Sequence, residues 1–211
     1  MILAEVSYEA SDPTVDSQII TLQKSGTDVF FNIAGPKFAA QAIRKSYDIG
    51  WRPLQLITSV SISIVAVLQP AGLEKSVGLI SIAYLKDPGD STLKDDRGVR
   101  DYVAFMKKYY PEGNPADVLN AYGYSAAQTL GQVLKQCGDD LSRENVMRQA
   151  ANLKDLSLPM LIPGIMINTS PTDFYPIEQV QFSALTVKPG YVRRIAEPLT
   201  RVTMGRILAR V

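Results

Sequence analysis

The side chains in this sequence that could do chemistry form a short set, and most of what it lacks is informative. There is no histidine, which removes Ser-His-Asp and Cys-His nucleophile systems and histidine metal sites together. The one cysteine, Cys137, has no disulfide partner and cannot hold a metal alone. Its helical spacing from Leu130, Val133 and Leu134 marks it as a core residue. Gly35-Pro36-Lys37 lacks the glycine-lysine-hydroxyl spacing of a phosphate loop. Asp95 and Asp96 are adjacent carboxylates, but Lys94 beside them suggests a solvated, charged loop and not a tuned acid–base pair. The expectation is therefore no enzyme, no metal and no cofactor. What remains are groups that hydrogen-bond a small molecule: Tyr8 and Ser11, then Asn32, Ala34 and Gly35, then Thr58, Ser59 and Ser61.

Each of those groups follows an expected strand. The stretch from Asp28 to Pro53 reads as strand, turn and helix. Val29, Phe30 and Phe31 are a short apolar run, as in a strand buried on both faces. Gly35 permits a sharp turn, and Pro36 suits the first position of a helix. Phe38, Ala39, Ala42 and Ile43 repeat at helical spacing, and Gly50 is the expected stop. Leu54–Thr58 reads as the next strand, so the unit is βαβ and the sheet parallel. Upstream, Ile2–Tyr8 reads as a strand, and Ser11-Asp12-Pro13 as an N-cap followed by a proline at the first helical position. Val15, Ile19 and Leu22 line that helix. Strands that alternate with helices across short loops indicate an α/β, doubly wound domain. In such sheets ligands bind beyond the strand C-termini, which is where the polar groups fall.

Further on, Ser59–Leu68 is expected to be a helix ending before Pro70, and Val77–Leu85 a fourth strand. Lys86–Arg97 is a polar loop. Helices without intervening strands follow: one marked by Val99, Val103 and Met106, one by Leu119, Tyr122, Ala126, Leu130, Val133 and Leu134 up to Gly138, and one capped by Ser142. Tyr84, Tyr122 and Tyr124 are further candidates for contact with a ligand, although Tyr122 also fits a helix core face. Ile177–Leu185 alternates partly, as an edge strand does, and beyond Ser183 the pattern has no clear period.

Composition adds bounds. The chain has 211 residues, 46% apolar and 20% charged, ordinary for a globular protein of one large or two small domains. The net charge of +1 hides a basic end: from Ser183 onward there are six Lys/Arg and one acid. Such an end reads more simply as solvated and poorly folded than as a nucleic-acid contact. The start lacks the basic and long apolar regions of a signal peptide, and Ile62–Leu68 is too short to span a membrane.

The order of segments resembles the periplasmic ligand-binding proteins of branched-chain amino acid ABC transporters, of the type I periplasmic binding fold. The resemblance rests on SYEASDPTVDSQIITLQKSGTDVFF, AAQAIRKSYDIGW, VGLISIAYLKDPGD, YGYSAAQTLGQVLKQCGDDLSRENVM and PGIMINTSPTDFYPIEQVQ, covering roughly Leu3–Gln181. It implies two α/β lobes joined by crossing segments, with the ligand between them. Mapped here, residues 1–83 are a C-terminal-lobe unit, 84–173 the helical part of an incomplete N-terminal lobe, 174–182 a crossing back, and 183–211 a basic, divergent tail. The chain then reads as a C-terminal fragment, and a shifted frame or gene remnant would produce its tail. A divergent extension is the alternative.

The resemblance implies non-catalytic binding of a small-molecule solute for delivery to an ABC transporter permease, with Tyr8, Asn32, Ala34, Gly35, Thr58, Ser59 and Tyr84 as ligand-binding residues. In relatives that bind amino acids, an acid near the turn after the third strand meets the ammonium group. Thr58-Ser59-Val60-Ser61 has none here, which favours a neutral or anionic ligand such as an aromatic or short organic acid. Helix faces left without a sheet imply weak ligand binding and possible homo-oligomers; no nucleic acid is expected. The family location is periplasmic, whereas the chain as written, without a signal peptide, is expected in the cytoplasm. The alternative reading is a cytosolic Rossmann-like regulator or enzyme that binds a small metabolite.

Overall fold

The structure is a computed structural model that describes residues 1–188, 191–196 and 200–201. The chain divides into two compact units. The first comprises Met1–Ile82, Gly89–Ser91 and Ser183–Ala196. It begins with residues 1–15, which contain no helix or strand. Then follow α1 (Asp16–Lys24), β1 (Val29–Asn32), α2 (Pro36–Asp48) and β2 (Leu54–Ile57). A broken helical path comes next: a 3-10 turn at Ser59–Ser61, a π-helical turn at Ile64–Leu68, and α3 (Gln69–Ala71). The strand β3 (Ile80–Ala83) follows.

β1 pairs parallel with β2, Val29 opposite Leu54 and Asn32 opposite Ile57, and β2 pairs parallel with β3. The α/β class and parallel sheet expected from the sequence are present. The core against β1 is built from Val15, Ile19 and Leu22 of the α1 region, Phe30, Phe38, Ala42 and Trp51. Phe30 and Trp51 stack with ring centroids 5.3 Å apart. Pro36 stands at the start of α2 and Gly50, at φ 72°, just past its end, as their chemistry requires.

Several local expectations are corrected. Residues 2–8 are not a strand, although Ala4, Val6 and Tyr8 alternate against the core as a strand would. The cause lies at the edge they would join: the Thr27 hydroxyl donates to the Val29 carbonyl at 2.9 Å and accepts from its N–H at 3.4 Å. β1 is buried on one face only. Phe30 and Asn32 are inside, while Val29 and Phe31 are exposed. Asp12 accepts from the Glu9 N–H in a turn, so the first helix starts later than its proline, at Asp16, beside the Thr14 hydroxyl. The helical path after Thr58 runs through Pro70 instead of stopping before it. The wider π turn ahead of it, with the Leu68 N–H reaching the Ser63 carbonyl at 3.1 Å, makes room for a ring that would clash with an ordinary α-turn.

The basic end also differs from the solvated tail expected. β4 (Gln179–Lys188) and β5 (Tyr191–Ala196) form an antiparallel pair, Ser183 opposite Ala196 and Lys188 opposite Tyr191. β4 follows β3 in the sheet, and Leu185 bonds through its backbone to Leu79 and Gly78. Positive charge masked the β-branched pattern Thr186, Val187, Val192 and Ile195 in the sequence. Any expectation about residues 202–211 lies outside the described residues.

The second unit includes Ala83–Pro88 and Thr92–Phe182. It is helical: α4 (Arg97–Tyr109), α5 (Val118–Cys137) and α6 (Arg143–Ala150). β6 (Thr200–Arg201) pairs antiparallel with Val180 and Gln179. Its core holds Leu85, Val99, Tyr102, Met106, Val133 and Met160, among others. Asp96, Asp117 and Ser142 cap the three helices through their side chains. The face of α5 is not the one its large apolar residues mark. Val118, Ala121 and Ser125 are buried, whereas Leu119, Tyr122, Leu130 and Leu134 are 40–54% exposed. Tyr102 of α4 is fully buried in the same core as Val118 and Ala121.

Candidate functional site

The polar residues singled out in the first unit form one hydrogen-bonded cluster at the C-terminal ends of β1 and β2. The chain turns sharply from Asn32 into α2. The Asn32 side-chain oxygen accepts from the Ala34 N–H at 3.2 Å and so spans that turn. The Asn32 carbonyl accepts from the Thr58 N–H at 3.0 Å, tying the two strand ends together. The Tyr8 hydroxyl accepts from the Gly35 N–H at 2.8 Å, while its ring packs on Phe38, 4.4 Å between centroids. The Ser61 hydroxyl donates to the Ala34 carbonyl at 2.6 Å. A side chain at Gly35 would meet the Tyr8 hydroxyl, since a Cβ there lies 3.6 Å from it.

Thus Tyr8, Asn32, Ala34, Gly35, Thr58 and Ser61 share one locus, and Ser59 adjoins it. Thr58 heads the 3-10 turn without a side-chain cap, and the Thr58 and Ser59 hydroxyls have no hydrogen bond to another described residue. Their structural alternative, capping the following helix, is taken by Ser63, which accepts from the Ala66 N–H. Asn32 is only 2% exposed, and its side-chain nitrogen has no partner among the described residues. A buried donor without a partner costs about 1–3 kcal/mol. Ser11, the remaining upstream candidate, is exposed. Lys37, at the end of the Asn32–Lys37 turn, holds its ammonium over the Phe38 ring, 4.8 Å from the centroid.

Tyr84 belongs to the second unit. It is half-buried against that unit's core, its carbonyl accepts from the Ile162 N–H, and burial followed by the neighbouring Tyr122 pushes its phenol up. Tyr122 itself is 54% exposed. Tyr124 contacts Phe105 and Tyr102, with ring centroids 4.9 and 5.4 Å apart. Asp96, expected in solvent, instead caps α4 and pairs with Lys86 at 2.9 Å. No cluster of three metal-ligating side chains occurs among the described residues, and no described helix is long and apolar enough to cross a membrane.

The profile of periplasmic binding proteins matches residues 2–183. The chain belongs to that family. No curated protein sequence matches it. Among solved structures, a branched-chain amino acid ABC transporter protein from Thermus thermophilus with bound valine is similar at TM-score 0.73 and 15% identity, over 96% of this chain and 53% of that one. The leucine-binding protein of Thermotoga maritima gives 0.65 and 18% over 93% and 51%. A solute-binding protein of R. palustris in complex with 4-hydroxybenzoate gives 0.69 and 12% over 93% and 51%. These likenesses establish the type I periplasmic binding fold. The chain spans about half the length of these solved structures.

Proposed function

We propose that this member of the periplasmic binding protein family supplies part of a non-catalytic binding site for a small solute, an amino acid or a small organic or aromatic acid, carried to an ABC transporter permease. The observation that carries the reading is the Tyr8–Asn32–Gly35–Thr58 cluster at the ends of parallel strands, the locus where open α/β sheets bind ligands. Membership of the family supports it, as do structural neighbours crystallised with valine and 4-hydroxybenzoate. Partners are the solute, the permease and, through the exposed apolar face of α5, a second copy of the chain.

Thermal denaturation of the purified chain across a panel of amino acids, aliphatic acids and aromatic acids tests this. A ligand that binds the native state alone raises the melting temperature progressively with its concentration. A melting temperature unmoved by every member of the panel contradicts the proposal.

A further inference from the structure

The cluster at the ends of β1 and β2 leaves several hydrogen-bond donors without a partner among the described residues. We infer that it receives the carboxylate of an organic acid and excludes an ammonium group, an inference that rests on the solute-binding reading above. The Tyr8 oxygen already accepts from the Gly35 N–H, which directs its own proton elsewhere. The 13-residue helix α2 starts on Gly35 without a side-chain cap. Pro36 has no N–H, and the Lys37 and Phe38 N–H groups find no acceptor among the described residues. Such a terminus attracts negative charge.

A second observation is independent of the helix. Asn32 is 2% exposed, and its oxygen is engaged by the Ala34 N–H, which fixes the amide orientation and leaves the nitrogen unpartnered beside the same turn. Among the described residues, no carboxylate hydrogen-bonds to any of these groups. Asp12, close in sequence to Tyr8, turns its carboxylate onto the Glu9 backbone. Lys37 adds a cation at the rim. An ammonium group placed here meets donors, the positive end of α2 and Lys37, whereas a carboxylate meets partners. Thr58-Ser59-Val60-Ser61 carries no acidic side chain.

Two matched pairs of probes decide it: isovalerate against isobutylamine, and benzoate against benzylamine, each titrated into the full 211-residue chain and followed by ligand-observed NMR, which detects weak binding. The acid of at least one pair is expected to bind about tenfold or more tighter than its amine. Asn32→Asp is expected to erase that preference, and Tyr8→Phe, a milder change that keeps the ring on Phe38, to weaken the acid about threefold or more. Thermal melts confirm that each variant is folded; if Asn32→Asp is not, Tyr8→Phe carries the test. Amines binding as tightly as acids, or acid binding indifferent to Tyr8→Phe, overturn the inference while leaving solute binding standing. Silence from all four probes and from the wider panel overturns both.

Discussion

Asp96 shows how one carboxylate can be misjudged by its neighbours in sequence. Lys94 and Asp95 suggested a solvated loop, yet Asp96 accepts from the Val99 N–H to cap α4 and receives both its oxygens' bonds from Lys86, 2.9 Å each. Lys86 also donates to the Pro159 carbonyl at 2.8 Å. Burial pushes the Asp96 carboxyl up, but Lys86 and the Val99 and Gly98 N–H groups outweigh it and hold it below the usual carboxylate range. A carboxyl lowered in the folded state stabilises fully above its unfolded pKa of about 3.9, and that contribution fades as pH falls through the lower folded value. The prediction is that Asp96→Ala lowers stability at neutral pH by about 1–2 kcal/mol. Asp96→Asn, which keeps the cap, lowers it less, and either variant flattens the acid limb of stability below about pH 4. Urea melts across pH 2–7 check this; an unchanged acid limb in both variants would show that the Lys86 pair contributes nothing.

Asn32 was legible in the sequence by its place after a strand. Its orphaned nitrogen was not, because that depends on which backbone groups the turn brings near.

At the scale of elements, the sequence disclosed helices more fully than their orientations. α5 was expected over its observed span, and Val133 and Cys137 are inside as the spacing implied. Its N-terminal half, however, turns Ala121 and Ser125 inward and Leu119 and Tyr122 outward. Hydrophobicity ranks large residues as core, whereas the buried face of a helix depends on the elements packed against it, which periodicity cannot foresee. The assignment of faces predicts a contrast. Met106→Ala, at 4% exposure, costs about 2–5 kcal/mol. Leu130→Gln, at 53% exposure, stays within about 0.5 kcal/mol. Chemical denaturation of the two variants checks it; equal losses would mean that the face of α5 has been assigned wrongly. Leu130→Gln with Leu134→Gln is expected to reduce any concentration-dependent self-association in sedimentation velocity, since both side chains are exposed and apolar. Strand edges were equally hidden from the sequence. Residues 2–8 have the composition of a strand, but a single hydroxyl, Thr27, occupies the β1 backbone they would have joined.

For the whole molecule, the α/β alternation, the βαβ unit and the helical second half could all be read from period and punctuation, and together they led to the family that the profile over residues 2–183 shows. The β4–β5 pair could not be read, because a run of arginines in a weakly alternating segment resembles a tail until the pairing register is known. Each unit has its own apolar core, one around Phe30 and Trp51, the other around Tyr102 and Met160. Separate cores predict a calorimetric unfolding enthalpy larger than the van't Hoff value, the mark of more than one cooperative transition. A ratio of one would mean that the units unfold together.

The central claim is that the chain binds a small solute at the strand ends that Tyr8, Asn32 and Gly35 define. The most direct test is a titration of the isotopically labelled chain, with the backbone amide signals followed by NMR, against the solute that most raises its melting temperature. Saturable shifts centred on Gly35, Lys37, Phe38, Thr58 and Ser59, reduced by Tyr8→Phe, are expected. Saturable shifts confined to residues elsewhere in the chain, or none at any concentration, would contradict it.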